Sequence, residues 1–242
     1  MKPRALIFDL YKTLLEVGPP PADAAARWTE LWTETFSSPP RLNLENFAAA
    51  CETIIAREHA RARAVGIAYP EIFWPRVTAE ALPELAGQTE SLRDQFLYVH
   101  AQLQRTLRLM PGANAVLPRL VAAQLPLGIA SNSQPYTLHE LETVLKSAGL
   151  SRTIFAPDLS FLSFAAGFSK PDPHVFRWLT ARLQVRGIAT AETLMVGDRL
   201  DNDIGPAQAQ GFQTWQLTPG PGNGTTSGNW TQLGEYLRRQ QG

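Results

Sequence analysis

"LIFDLYKTLLEV", residues 6–17, decides how the rest of the chain is read. The segment "RALIFD" is a short apolar run rich in strand formers, which reads as a buried strand with Asp9 at its C-terminal end. Three more segments have this character: "LPLGIASN" at 125–132, "TLMVGD" at 193–198 and "FQTWQL" at 212–217. Each is bounded by Gly, Pro, Asn or Asp. Helical patterns alternate with them. "PYTLHELETVLKSAG" spaces its apolar residues by three and four and ends in Gly, and "PDPHVFRWLTARLQ" and "NDIGPAQAQG" follow. Strand and helix in alternation predict an α/β fold: a Rossmann-like three-layer core whose parallel sheet is covered on both faces.

Residues 19–107 differ. They carry the long helical patterns "ADAAARWTELWTETF", "ENFAAACETIIAREHARARAVG" and "ESLRDQFLYVHAQLQRTL", with no convincing strand. Turn residues flank them in "VGPPPAD" at 17–23 and "LMPGAN" at 109–114. The expected organisation is an α/β core made of 1–18 and 108–242, with a helical insertion at 19–107. By composition, "TPGPGNGTTSGN" at 218–229 is a flexible loop, and the helix "WTQLGEYLRR" follows it.

Composition narrows the function classes. Hydrophobic residues are 44% and charged residues 18%, which predicts a packed globular core. Lys plus Arg equals Asp plus Glu at 22 each, so no nucleic-acid or membrane surface is expected. No apolar run reaches the ~20 residues of a membrane span. No signal-peptide pattern opens the chain, and the single Cys51 fits a reducing compartment, so a cytoplasmic protein is expected, as monomer or homodimer.

Open parallel sheets collect functional groups at the C-terminal ends of their strands. Four such ends carry polar residues here: Asp9 with Thr13, Ser131 with Asn132, Lys170 before "PDP", and Asp198 with Asp201 and Asp203. The set "FDLYKTL", "IASN", "SKPDPHVF" and "VGDRLDNDIGPAQAQG" resembles, in order, the four motifs of the haloacid dehalogenase-like (HAD) hydrolase superfamily. The helical insertion is similar to that family's cap of the first type.

The resemblance implies displacement at phosphorus, or less often carbon, by an aspartate. Asp9 is then the nucleophile, forming an aspartyl-phosphate that water hydrolyses. Thr13 and Ser131 would hydrogen-bond phosphoryl oxygens, and Asn132 would add a donor. Lys170 would neutralise charge on the nucleophile and the transferred group. Asp198 would bind a metal, with Asp203 close by or acting through water, while Asp201 is expected to be exposed or to orient Arg199. Asp9, Asp198 and Asp203 converging against one lysine would raise each other's pKa. A hard divalent cation relieves that repulsion, and Mg²⁺ suits carboxylates, a carbonyl, waters and a substrate phosphate. The family takes that carbonyl from the position of Tyr11.

Tyr11 departs from the phosphatase pattern, which has a second aspartate there to protonate the leaving oxygen. A phenol, with pKa ~10, is a poor replacement. The 2-haloacid dehalogenases of the family do carry a tyrosine at this position. They also carry an uncharged residue in place of Asp198, a tyrosine in place of Phe176, and a cap arginine for the substrate carboxylate, for which Arg27 and Arg41 are the candidates here. The acids outweigh the tyrosine. The expectation is an Mg²⁺-dependent phosphatase acting on a small phosphorylated metabolite, with Tyr11 limiting turnover by the ~10²–10⁴ that a general acid–base supplies. The alternatives are a 2-haloacid dehalogenase and a HAD-like phosphate-binding protein with little turnover. His59, His100, His139 and His174 lack metal-ligand spacing and are expected on the surface or on helices. Trp28, Trp32 and Trp74 are expected to pack the helical insertion.

Overall fold

The computed structural model describes residues 2–241. Its strands are β1 (Ala5–Phe8), β2 (Leu15–Gly18), β3 (Thr106–Leu109), β4 (Leu127–Ser131), β5 (Phe155–Leu162), β6 (Thr193–Gly197), β7 (Gln213–Leu217) and β8 (Ser227–Gly228). Its helices are α1 (Ala24–Phe36), α2 (Leu44–Ala64), α3 (Trp74–Ala81), α4 (Glu90–Gln104), α5 (Ala113–Ala122), α6 (Tyr136–Ser147), α7 (Ser163–Ala166), α8 (Pro173–Val185), α9 (Gly205–Ala209) and α10 (Trp230–Gln241).

Six strands form one sheet in the order β5-β4-β1-β6-β7-β8, and every pairing in it is parallel. Side chains on β1 alternate with the period of two that a strand imposes. Leu6 and Phe8 join a core with Leu117 of α5, Leu141 of α6 and Trp230 of α10. Ala5 and Ile7 join a second core with Phe176 and Leu179 of α8 and Ala207 of α9. Burying each large side chain stabilises by ~1.5–3 kcal/mol, so a one-residue slip of β1 would forfeit both cores. The expected α/β architecture of three layers is what forms.

The strand order places the site. From β1 the chain builds outward through β4 and β5 on one side, then crosses to β6, β7 and β8 on the other. The crevice outside the C-terminal ends of β1 and its neighbours is the switch point at which such sheets bind ligands.

Helices α1–α4 lie between β2 and β3 and have their own core of Trp28, Trp32, Phe47, Phe96 and Leu97. Trp28 stacks on Phe47 at 5.0 Å and donates its indole N–H to the Leu42 carbonyl at 2.8 Å. Trp74 packs against that core, and His100, on α4, is buried beside it. Asn43 and Thr89 cap α2 and α4, each accepting a backbone N–H three residues on.

These helices meet the α/β core at two places. An antiparallel ladder pairs Leu15–Gly18 with Thr106–Leu109 at their base. At the other end, Glu71 N–H donates to the Gly167 carbonyl, and Ser163 donates its hydroxyl to Glu71 at 2.6 Å. Gln134 accepts the Trp74 N–H at 2.8 Å.

Several elements were not read from sequence. β5 contains Pro157 and Asp158, and it is tolerated as an edge strand with a register shift against β4. β2 and β3 are four residues each and find each other across the helical insertion. α5 carries Pro118 in its interior. The segment 218–229, expected as a flexible loop, holds β8 and an Asn223 carboxamide that accepts three successive backbone N–H groups.

Candidate active site

β1 delivers Asp9 to the crevice, and the Asp9 N–H still donates to the Val196 carbonyl of β6 at 2.9 Å. The backbone then turns tightly, with Thr13 and Leu14 N–H groups both donating to the Leu10 carbonyl. The turn is completed by Lys12, whose N–H donates to the Leu15 carbonyl at 2.6 Å and whose φ is +62°. A non-glycine residue in this left-handed region is uncommon and costs about 1–2 kcal/mol. Thr13 is wholly buried, its carbonyl accepting the Trp230 indole N–H at 2.9 Å, and its hydroxyl has no hydrogen-bond partner among the described residues.

Lys170 sits before α8, which begins with Asp172 as its N-cap and Pro173 in its first turn. Its ammonium donates to Asp9 at 2.7 Å and to Asp203 at 2.5 Å, and its side chain is 2% exposed. Asn132 clasps the Lys170 backbone from both sides, donating to its carbonyl at 2.9 Å and accepting its N–H at 2.8 Å. The Asn132 side chain therefore positions Lys170 while also lining the cavity. Ser131, the last residue of β4, is wholly buried beneath them.

The segment after β6 turns Asp203 back toward the strand. Asp203 accepts the Arg199 N–H at 3.1 Å, and its side chain passes so close to Gly197 that a Cβ there would lie 2.4 Å from it. Only glycine fits at 197. Asp198 is half-buried, and the exposed Asp201 pairs with the Arg199 guanidinium as expected. Carboxylate oxygens of Asp9, Asp198 and Asp203 all lie within 4.8 Å of one another.

The charges are unbalanced. Three carboxylates face one buried ammonium. Burial pushes the Asp9 carboxyl up to about 6; Lys170 opposes this, while Asp203 and Asp198 add to it. Burial, then the Asp203 charge, also lifts Asp198. Burial disfavours the Lys170 ammonium, but Asp9 and Asp203 hold it above the usual lysine range. A hard dication fits this donor set, because it would add the positive charge that the acids lack and prefers oxygen ligands.

The cavity over these residues is about 430 Å³ and is lined also by Tyr11, Lys12, Arg199 and Asn202. A larger space of about 560 Å³, between α4 and α6, is lined by Tyr98, Tyr136 and His139 and holds none of the motif residues.

The Tyr11 hydroxyl is fully engaged. It donates to Glu140 of α6, accepts from Arg105 at 2.9 Å, and shares a 2.8 Å hydrogen bond with Thr137. One hydroxyl has one hydrogen and two lone pairs, so nothing remains for a ligand. Burial, then the neighbouring Glu140 carboxylate, pushes the phenol above the usual tyrosine range. Glu140 is itself buried and receives Arg105 and Gln102. Arg105 also stacks on the Tyr11 ring, 4.5 Å from its centroid.

Arg27 and Arg41 are corrected by the geometry, since neither lines the cavity. Arg27 pairs with Asp23 one turn before it. Arg41 makes a two-pronged pair with Glu84 and a hydrogen bond to the Ala81 carbonyl. Both find partners within the helical layer, as exposed arginines usually do. Conversely, Lys12, Arg105 and Glu140 belong to the site or its support and were not singled out. For Glu140 a signal existed: it falls on the buried face of the α6 pattern with Thr137, Leu141 and Val144, where an acid needs a partner.

A family model for haloacid dehalogenase-like hydrolases matches residues 3–211. No curated protein matches the chain in sequence. Among solved structures, the 2-haloacid dehalogenase from Pseudomonas syringae pv. Tomato DC3000 is similar, with 20% identity, 99% of each chain covered and a TM-score of 0.60. The L-2-haloacid dehalogenase RSc1362 has 23% identity, with 98% of this chain and 100% of that chain covered and a TM-score of 0.54. The putative HAD-hydrolase YfnB from Bacillus subtilis, in a form bound to magnesium, has 22% identity, with 98% and 99% covered and a TM-score of 0.52. At these identities the structures speak for a shared fold. With the family match over most of its length, the chain belongs to the haloacid dehalogenase-like hydrolases.

Proposed function

We propose that this haloacid dehalogenase-like hydrolase is an Mg²⁺-dependent phosphatase for a small phosphorylated metabolite. The observation that carries the reading is the convergence of Asp9, Asp198 and Asp203 within 4.8 Å of one another, with a single buried lysine paired to Asp9 and Asp203. An acid at 198 has no use in displacing a halide, where it would only repel the nucleophile.

The Asp9 carboxylate attacks phosphorus, and the bond from phosphorus to the leaving oxygen breaks. Lys170 keeps Asp9 oriented and offsets charge gathering on the transferred group. The unpartnered Thr13 hydroxyl and Ser131 are the donors for phosphoryl oxygens. Water then attacks phosphorus of the aspartyl-phosphate, restoring the Asp9 carboxylate and releasing phosphate. Asp198, Asp203, Asp9 and the Tyr11 carbonyl are the groups that would hold Mg²⁺. When bound, it supplies positive charge that lets three acids share one pocket and that stabilises the phosphoryl oxygens. Helices α1–α4 would act as a cap over residues 1–18 and 108–242, limiting water access during the first step.

A second reading has its own support. With the Tyr11 hydroxyl engaged by Glu140, the site offers no obvious proton for a leaving oxygen, and a halide needs none. Asp9 would then attack carbon, expel halide, and release a hydroxy acid when water hydrolyses the ester. The deciding experiment is a panel of phosphate esters and acyl phosphates run beside 2-chloropropionate, with Mg²⁺ and with chelator. Phosphate release that requires Mg²⁺ supports the phosphatase. Halide release that survives chelator supports the dehalogenase. Binding of phosphate without release of either product supports a binding protein.

A further inference from the structure

The cavity over Asp9 is lined by three cationic side chains: Lys170, Arg199 and Lys12. Lys170 is buried between Asp9 and Asp203. Arg199 lies in a two-pronged pair with Asp201. Lys12 is exposed and takes part in no ion pair within 4.0 Å among the described residues. It is also held at φ +62°, a conformation that glycine would adopt without strain. Ser37 and Gln124 share this conformation at helix ends, whereas Lys12 has it beside the cavity.

Charge counting points the same way. Asp9, Asp198 and Asp203 oppose Lys170, and a bound dication would neutralise the remainder. Lys12 is then a positive charge at the cavity that no ion pair among the described residues holds, and its field reaches Asp198. Arg27 and Arg41 are both engaged on the helical layer.

We propose that Lys12 is a specificity-determining residue, binding a second anionic group of the substrate beyond the group that reacts at Asp9. This rests on the phosphatase reading and narrows its substrate class to phosphorylated compounds that carry a second anionic group, for which a carboxylate is the probe. No covalent step at Lys12 is involved.

The test uses the full chain with Mg²⁺ and two non-hydrolysable probes, phosphonoacetate and methylphosphonate, which differ by one carboxylate. Calorimetry gives a dissociation constant for each. The parent should bind phosphonoacetate at least tenfold more tightly. In Lys12→Gly, which also relieves the backbone, the ratio of the two constants should fall tenfold or more. Lys12→Arg should keep most of the ratio. Hydrolysis of simple phosphate esters is measured beside the binding. A parent that hydrolyses them but shows no preference between probes, or a Lys12→Gly ratio within twofold of the parent, overturns the Lys12 assignment alone. A parent that binds neither probe and hydrolyses no phosphate ester overturns the phosphatase reading and this assignment together.

Discussion

Tyr11 donates its hydroxyl hydrogen to Glu140, a residue 129 positions later on α6, and so does not offer its one acidic proton to Asp9 or the cavity. Arg105, the first residue after α4, closes the cluster. The loop that carries Asp9 is thereby tied to the point where the helical insertion rejoins the core. A position that could have supplied a proton supplies an anchor.

Removal of the hydroxyl separates these roles. Tyr11→Phe leaves Glu140 with Arg105 and Gln102 but loses the hydroxyl's hydrogen bonds to Glu140, Arg105 and Thr137. Stability should fall by ~1–3 kcal/mol, read from denaturant midpoints at constant m. Turnover should change only a few-fold. A fall of a hundredfold with Mg²⁺ affinity retained would make Tyr11 a proton donor after all.

Tyr11→Asp is the complementary change. The shorter carboxylate is repelled by Glu140 and loses the stack under Arg105, so stability should drop by more than in Tyr11→Phe. The new acid can, however, face the cavity. Turnover on alkyl phosphates should rise, up to the ~10²–10⁴ of a general acid–base, and should rise much less on acyl phosphates, whose leaving group needs little protonation. Equal changes on both substrate types would count against proton supply as what Tyr11 lacks.

Asp198 tests the metal without relying on turnover. Burial and Asp203 already disfavour its charge in the absence of a cation. Asp198→Asn should therefore raise the metal-free melting temperature. Mg²⁺ at a hundred times its dissociation constant should stabilise the parent by ~2.7 kcal/mol and the variant by far less. An Mg²⁺ response that is the same in both proteins would remove Asp198 from the metal site.

The motif positions were legible because chemistry confined to strand ends leaves a local mark: Asp9, Ser131, Lys170 and Asp203 each follow a recognisable strand or precede a helix. Their convergence could be read once the alternation of strand and helix implied a parallel sheet. What escaped was set by partners distant in sequence. Nothing near Arg105 says that it will lie against Tyr11, and β2 pairs with β3 across four intervening helices. Arg27 and Arg41 misled for the same reason. An arginine on a helix reads as available until its acid, Asp23 or Glu84, is placed beside it. Lys12 was hidden by its backbone, since a left-handed lysine has no signature in composition or periodicity.

Asp9 gives the sharpest pH signature. Its carboxyl is pushed up to about 6 by burial, against an unfolded value of ~3.9. Between these values the folded state binds more protons than the unfolded state at this residue, so the Asp9 contribution to stability falls as pH rises from about 4 to about 6. Arginine-paired surface acids such as Glu58 and Asp158, held low by Arg57 and Arg186, act in the opposite direction and mask it. They are common to parent and Asp9→Asn, so the difference between the two proteins isolates Asp9. Without metal, Asp9→Asn should gain stability relative to the parent as pH rises through this window. It should also lose all hydrolysis, because its carboxamide is no nucleophile; activity within tenfold of the parent would remove Asp9 from that role. In the parent, kcat/KM should rise with pH as Asp9 ionises. Raising Mg²⁺ should move that acid limb to lower pH, since a dication favours the ionised carboxylate. A limb that stays fixed as Mg²⁺ is raised from far below to far above its dissociation constant would mean that the cation does not share a site with Asp9.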